Sequence, residues 1–272
     1  MGLTGRLIVC PTPIGNLEDV TLRVLSALRD ADVIACEDTR TTKVLLDRYG
    51  VSAERVRYDA HTERRVAPRL VERMRGGTVV ALVSDAGMPL VSDPGLVLVQ
   101  ACMAAGLEVE VLPGPSAALA ALVASGIEAS TWRFVGFLPR KRGGLVEVFG
   151  SPEVVVAFES PRRVGASLAA LAEVDPQRPV AVCRELTKLH EEVVRGTAAS
   201  LAARYADEPP RGEVVLVIGA APGGDVDLGP ALAALRRLVD DAGARARPAA
   251  GVVAELTGTS ANALYRALTD TK

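Results

Sequence analysis

Two Asp-plus-Gly turns, SDAG and SDPG, stand within residues 84–95, between the apolar run 78–83 and a helix-like segment. Asp85 can accept hydrogen bonds from an ammonium or a hydroxyl, and Gly87 allows a backbone approach that a Cβ would block. Two such turns in succession cost chain flexibility, which points to a ligand that needs their shape. SDPG is expected only to start the following helix. Three further loops have comparable chemistry. TPIGNLED at 12–19 makes a tight turn through Pro13 and Gly15, whose backbone N–H groups can face an anion or cofactor, although it is neither a GxGxxG fingerprint nor a P-loop. CEDTR at 36–40 sets Asp38 and Arg40 side by side. Helix capping explains Asp38 equally well but leaves Arg40 over. LPGPSA at 112–117 delivers Ser116 and its neighbouring N–H groups, with a helix cap as the plain alternative.

Two later segments, FESPRR at 158–163 and RELTKLHEE at 184–192, put charge directly after apolar runs. Their polar members are Glu159, Arg162, Arg163, Arg184, Glu185 and Lys188. A solvated surface network could hold the same letters, but arginines beside strand ends suit phosphates and carboxylates. His61 and His190 are isolated and receive no catalytic role.

The elements that must position these loops alternate. Strand-like runs at 5–10, 32–36, 78–83 and 108–112 are interleaved with helix-like segments at 18–31, 41–49, 94–105 and 115–125, which predicts an α/β fold with a mainly parallel sheet. All four loops then fall at carboxyl ends of strands, where open α/β sheets bind ligands. A second segment has runs at 132–138, 154–158, 180–184 and 213–218 with a helix at 162–172. It predicts a mixed sheet, with PRKRGG at 139–144 as an exposed basic loop. AAPGGDVDLGP reads as a linker, and the tail as three short helices at 231–242, 248–256 and 260–268, the last capped by Ser260 and the final pair resembling a helix-turn-helix. The expected domains are 1–128, 129–222 and a small helical 223–272.

Composition narrows the classes. With 49% hydrophobic and 24% charged residues, the chain is globular. Its apolar stretches fall short of the roughly 20 residues needed to cross a bilayer, and no signal pattern opens it, so a cytoplasmic protein without membrane attachment is expected. Cys10, Cys36, Cys102 and Cys183 show no CxxC spacing, so neither disulfides nor zinc are expected and each should be a small buried hydrophobe. A net charge of −2 means that any nucleic acid must be attracted by local patches.

Taken in order, TPIGNLED, EDTR, SDAGMPLVSDPG, LPGPSA, GFLP, FESPRR and RELTK resemble the tetrapyrrole methylase superfamily and, more closely, the ribosomal RNA small subunit methyltransferase I family. The resemblance covers residues 7 to about 219, and SANALYRALTD is similar to that family's helical end. It implies a two-domain α/β fold with S-adenosylmethionine in the cleft between domains, no metal, and a homodimer. It also implies methylation of the ribose 2'-hydroxyl of a cytidine in the decoding region of small-subunit ribosomal RNA. By position, Pro13, Asp85, Gly87, Met88, Ser116 and Ala117 would line the cofactor site from one domain, and Phe158, Glu159, Leu186 and Gly212 from the other.

A 2'-hydroxyl is a poor nucleophile, and Glu159, Glu185 and Lys188 are the unranked candidates for a base. Arg40, Arg162, Arg163 and Arg184 are the candidates for holding RNA phosphates. Aromatic residues make up only 3% of the chain, so the RNA should be held by shape and backbone, within an assembled subunit. The competing readings are a methylase of porphyrin-like rings and a non-enzymatic helix-turn-helix nucleic-acid-binding protein.

Overall fold

In the first half of the chain, strands and helices alternate strictly: β1 (Arg6–Cys10), α1 (Leu22–Asp30), β2 (Val33–Cys36), α2 (Thr39–Arg48), β3 (Glu54–Arg57), α3 (Glu63–Arg75), β4 (Val80–Val83), α4 (Leu96–Ala104), β5 (Glu108–Val111) and α5 (Ala117–Ser125). The structure is a computed structural model, and it describes residues 5–221, 228–257, 259 and 261–269. All pairings among these strands are parallel, in the order β3-β2-β4-β1-β5.

Parallel strands covered on both sides are apolar on both sides, which is why β1, β2 and β4 read as unbroken hydrophobic runs. Alternate residues divide between two cores. Ile8, Cys10, Ile34 and Cys36 pack with α1 and α2, while Leu7, Val9, Val33 and Ala35 pack with α3 and α4. Each Leu, Ile or Val among them contributes roughly 1.5–3 kcal/mol on burial. Because the strands are parallel, the loops after β1, β2, β4 and β5 all leave from one edge.

The second half holds β6 (Trp132–Phe137), α6 (Arg142–Phe149), β7 (Val154–Glu159), α7 (Val164–Val174), β8 (Pro179–Arg184), β9 (Glu192–Thr197), α8 (Ala198–Arg204) and β10 (Val214–Ile218). The sheet order is β6-β7-β10-β8-β9, with β6 and β7 parallel and the remaining pairs antiparallel, so the expected mixed sheet is present. One face packs against α6, α7 and α8 through Val155, Ala157, Val182 and Leu216. The other face receives α5, with Ala118 and Ala121 against Val156, Cys183 and Val217. Arg195 fastens the joint by donating from Nε to the Ser125 carbonyl at 2.9 Å. Val214 is in register with both Glu159 and Arg184, so the ends of three adjacent strands share one edge.

Several elements depart from the sequence reading. The 18–31 segment is a short 3-10 turn (Leu17–Asp19) followed by α1, and a second such turn (Pro161–Arg163) precedes α7. PRKRGG is not wholly a loop, because α6 begins at Arg142. The strand β3, the helix α3 and the pair β9 and α8 are absent from the sequence reading. Polar residues and Pro68 disguise α3, although Val66, Leu70 and Met74 mark its buried face at four-residue spacing. The edge strand β9 is only half-buried, so its charged letters read as surface.

Both sheets lie in one compact unit, Met1–Gly219, and Ala220–Lys272 forms another. That second unit contains α9 (Leu228–Asp240), α10 (Ala246–Thr257) and α11 (Ala261–Thr269), packed on their own core of Leu235, Val253, Leu264 and Leu268. Ser260, and 222–227 of the expected linker, lie outside the described residues. Among the described residues no helix is long and apolar enough to cross a membrane. The four cysteines are free and buried.

Candidate active site

The loop after β4 is stitched to the loop after β1. Thr12 and Gly87 exchange backbone hydrogen bonds of 2.9 and 3.0 Å, and Thr12 Oγ1 donates to the Ser84 carbonyl at 3.0 Å. Gly87 has φ +82°, and a Cβ there would meet Ile14 at 3.3 Å. Asp85 Oδ1 accepts from the Asp38 amide at 3.0 Å, tying in the loop after β2. Further along, Leu90 and Ser92 take φ values of 71° and 68° without being glycine. Backbone strain of this kind costs on the order of 1–3 kcal/mol per residue and collects where a site needs a particular shape.

The opposing wall comes from the second sheet. Phe158 is held edge-on by Phe134 and Phe137, with centroids 5.0 and 5.6 Å away. Glu159 is buried and saturated: its carboxylate accepts from the Ser160 amide at 2.7 Å and from Ser167 Oγ at 2.6 Å, and pairs with Arg163 at 3.2 Å. The next loop has two more non-glycine residues at positive φ, Glu185 (51°) and Thr187 (66°). Glu185 Oε1 accepts from Lys188 Nζ and from the Glu213 amide, both at 2.9 Å, while Lys188 also donates to Glu213 Oε2 at 2.9 Å. Gly212, at φ +81°, leaves room for that lock, since a Cβ would stand 2.3 Å from the Glu185 carboxylate.

Between the walls lies a cavity of about 430 Å³, within the range of small-molecule sites. Asp85, Gly87, Met88, Ser116 and Ala117 line it from one side, and Phe158, Glu159, Leu186 and Gly212 from the other. Pro13 lines an adjoining cavity of about 480 Å³ that shares Asp85 with the first. Ser116 also caps α5, accepting from the Leu119 amide at 3.4 Å, so the capping and lining roles coexist. Sequence reasoning missed Asp93, Phe137 and Glu213 as lining residues. Apolar and aromatic surface with several carboxylates fits a ligand that is part heteroaromatic and part cationic.

The ionisable groups separate by wall. Hydrogen bonding from Lys188 holds the Glu185 carboxyl below its ordinary value. Burial opposes the Lys188 ammonium, but its bonds to Glu185 and Glu213 outweigh it and raise the group above its usual range. Neither is suited to taking a proton. On the first wall, burial raises Asp85, where the Asp38 amide works against it and the Asp38 charge with it. Burial and then the charges of Asp85, Asp59 and Asp38 raise Glu37. Burial, followed by Glu37 and Asp85, pushes Asp93 up to about 6, with a Ser84 hydrogen bond opposing.

Three of the four expected RNA-contacting arginines have partners within the chain. Arg40 bonds Asp38 through Nε and Nη2 at 3.1 and 2.7 Å, and Asp38 in turn caps α2. Arg163 donates to the Pro139 carbonyl at 2.8 Å as well as pairing with Glu159. Arg184 pairs with Glu192 at 2.7 Å. Arg162 is exposed and makes no side-chain bond among the described residues, and the same holds for Arg140, Lys141 and Arg211. These four follow or precede the lining residues Phe137, Pro161 and Gly212 by one to four positions in the sequence. Among the described residues no group of His, Cys, Asp or Glu is placed to hold a metal ion.

Known proteins resemble this chain in sequence and in fold. A family model described as Tetrapyrrole (Corrin/Porphyrin) Methylases matches residues 6–202. A Mesorhizobium japonicum protein named ribosomal RNA small subunit methyltransferase I is 44% identical over 283 residues, covering 99% of this chain and 93% of that protein. A Thermotoga maritima protein of the same name is 41% identical over 217 residues, covering 79% and 98%. Among solved structures, uroporphyrin-III C-methyltransferase from Thermus thermophilus complexed with S-adenyl homocysteine aligns with a TM-score of 0.57 at 22% identity, over 79% of this chain and 97% of that one, a likeness of fold. The family model and the extent of the two sequence matches settle its kinship: the chain belongs to the tetrapyrrole methylases and, within them, to the ribosomal RNA small subunit methyltransferase I family.

Proposed function

We propose that this protein is an S-adenosylmethionine-dependent methyltransferase that modifies the 2'-hydroxyl of a cytidine ribose in the decoding region of small-subunit ribosomal RNA. The observation that carries the reading is the 44% identity, over nearly the whole of both chains, to a protein named for that RNA. The choice of cytidine, of the 2'-oxygen and of the decoding region follows the family resemblance of the seven loop motifs. S-adenosylmethionine, when bound, supplies an electrophilic methyl group, and the protein contributes orientation and electrostatics. Phe158, Met88 and Leu186 offer apolar surface to a heteroaromatic ring, and Asp85 offers charge to a cationic amino-acid portion.

The same reading gives the two walls different tasks. Loops of the 1–128 domain and of the 129–222 domain enclose the reacting groups, while Arg140, Lys141, Arg162 and Arg211 give the rim a local attraction for phosphate that the net charge of −2 lacks. An assembled small subunit is the substrate, a homodimer the working form, and the cytoplasm the compartment.

The test is transfer of labelled methyl to small-subunit particles from cells lacking the modification, followed by nuclease mapping. Label on a cytidine ribose is the expected result. Label on a base, or on a small molecule such as a tetrapyrrole, overturns the reading. Replacing Arg140, Lys141, Arg162 and Arg211 by alanine should weaken binding of the particle and lower the slope of log affinity against log salt by roughly one for each phosphate left without its cation. An unchanged slope removes the rim from the interface.

A further inference from the structure

Asp93 stands in the second of the paired turns, in the place of a residue that would start a helix, but it is not used in that way. The cap of α4 is Gly95, and no side chain caps the helix. Asp93 is half-buried, lines the cavity of about 430 Å³ and has no ion pair among the described residues. Its approach to the cavity is set by the two left-handed residues Leu90 and Ser92, with Gly95 at φ +142° just beyond. The carboxylates that line the cavity from the opposite wall are otherwise engaged, Glu159 by Ser167 and Arg163, Glu213 by Lys188.

Resting on the function proposed above, we propose that Asp93 is the proton acceptor for the hydroxyl that is methylated. The O2'–H bond breaks and its proton passes to a carboxylate oxygen of Asp93. The oxygen's electron pair forms the new bond to the methyl carbon as the carbon–sulfur bond of the sulfonium releases its pair to sulfur. One carboxylate and one sulfonium become one carboxylic acid and one neutral thioether, so charge balances and no further reactant is needed. The charged groups acting on Asp93 are Glu37, from the end of β2, and Asp85, from the end of β4; the segment LVLVQACMA of α4 brings no charge. Surroundings that are acidic and partly dry keep the group basic enough to accept a proton near neutral pH, where general bases are most effective.

The experiment compares wild type, Asp93→Asn and Asp93→Glu on small-subunit particles across pH 5–9. The wild-type rate should climb about tenfold per pH unit below about 6 and level off above it. Asp93→Asn should lose about 10²–10⁴-fold in kcat and lose that limb, with S-adenosylmethionine affinity by calorimetry nearly unchanged, while Asp93→Glu restores part of the rate. Thermal unfolding without substrate gives a second readout. A carboxyl whose folded-state pKa is raised costs stability as pH rises from its ordinary value of 3.8 to about 6. Asp93→Asn should therefore melt higher than wild type above pH 6 and match it near pH 3.

A wild-type profile with no acid limb near 6 overturns the proposal even if Asp93→Asn does not fold. So does an Asp93→Asn protein with undiminished kcat, or one whose defect lies only in S-adenosylmethionine affinity. Absence of methyl transfer to the particles by wild type overturns the function itself, a result distinct from all of these.

Discussion

Glu159 and Asp93 face one cavity from opposite walls, and their surroundings differ in kind. Glu159 is wholly buried but surrounded by donors from Ser160, Ser167 and Arg163. Asp93 is less buried yet has acidic neighbours and, among the described residues, no ion-pair partner. Burial alone does not decide what a carboxylate can do. A buried carboxylate whose lone pairs are satisfied holds its donors in place, while a half-buried one among like charges has an elevated affinity for protons. Glu185 belongs with Glu159, and Glu37 and Asp85 with Asp93. The second sheet therefore supplies a fixed wall with a cationic rim, and the first a reactive one.

Four substitutions test that contrast. The largest effect is expected for Glu159→Ala, which leaves the Ser160 amide and the Ser167 hydroxyl without their acceptor and Arg163 with only the Leu138 and Pro139 carbonyls, and should cost about 3–5 kcal/mol in urea unfolding. Intact stability with abolished methyl transfer would instead make the second wall chemical. Gly212→Ala combines a strained φ of +81° with a collision at Glu185, so a loss of about 1–3 kcal/mol is expected together with weaker S-adenosylmethionine binding by calorimetry. Asp85→Asn keeps an acceptor for the Asp38 amide but removes a charge that raises Asp93, so the acid limb of the rate profile should move to lower pH, by less than the distance from about 6 to the ordinary 3.8. A limb that stays in place uncouples the two acids. Smallest is Arg40→Ala: with its guanidinium exposed and spent on Asp38, melting temperature and RNA salt dependence should hardly change. A large loss of RNA affinity would return Arg40 to the interface.

What the sequence made legible follows from the same physics. In a parallel sheet every strand-end loop leaves from one edge, so Pro, Gly and Asp at 12–15, 84–88 and 112–117 point to one place before any coordinates exist. Pairing of charges is another matter. The partners of Arg163 include the carbonyls of Leu138 and Pro139, from a different strand connection, and Arg184 meets Glu192 only because β8 and β9 form a hairpin that the letters RELTKLHEE hide. Local sequence shows that an arginine sits at a strand end, but not whether its fork is already occupied. Asp93 is hidden for a local reason too, because Asp-Pro before an apolar run is a common helix opening, and only the chain path places the cap two residues later at Gly95.

The four buried cysteines give the protein a built-in reporter. Burial pushes Cys10 up to about 12, with Glu110 adding to the shift, and burial also pushes Cys102 and Cys183 up to about 11, so thiolate is scarce in the folded state. Alkylating reagents act on thiolate and on accessible sulfur, and here both require the surrounding structure to open. Cys10, Cys36 and Cys102 belong to the first sheet and its helices, whereas Cys183 lies in the second sheet and lines the cavity. The rate at which each thiol is labelled thus clocks the opening of one half of the molecule separately from the other, without any engineered probe.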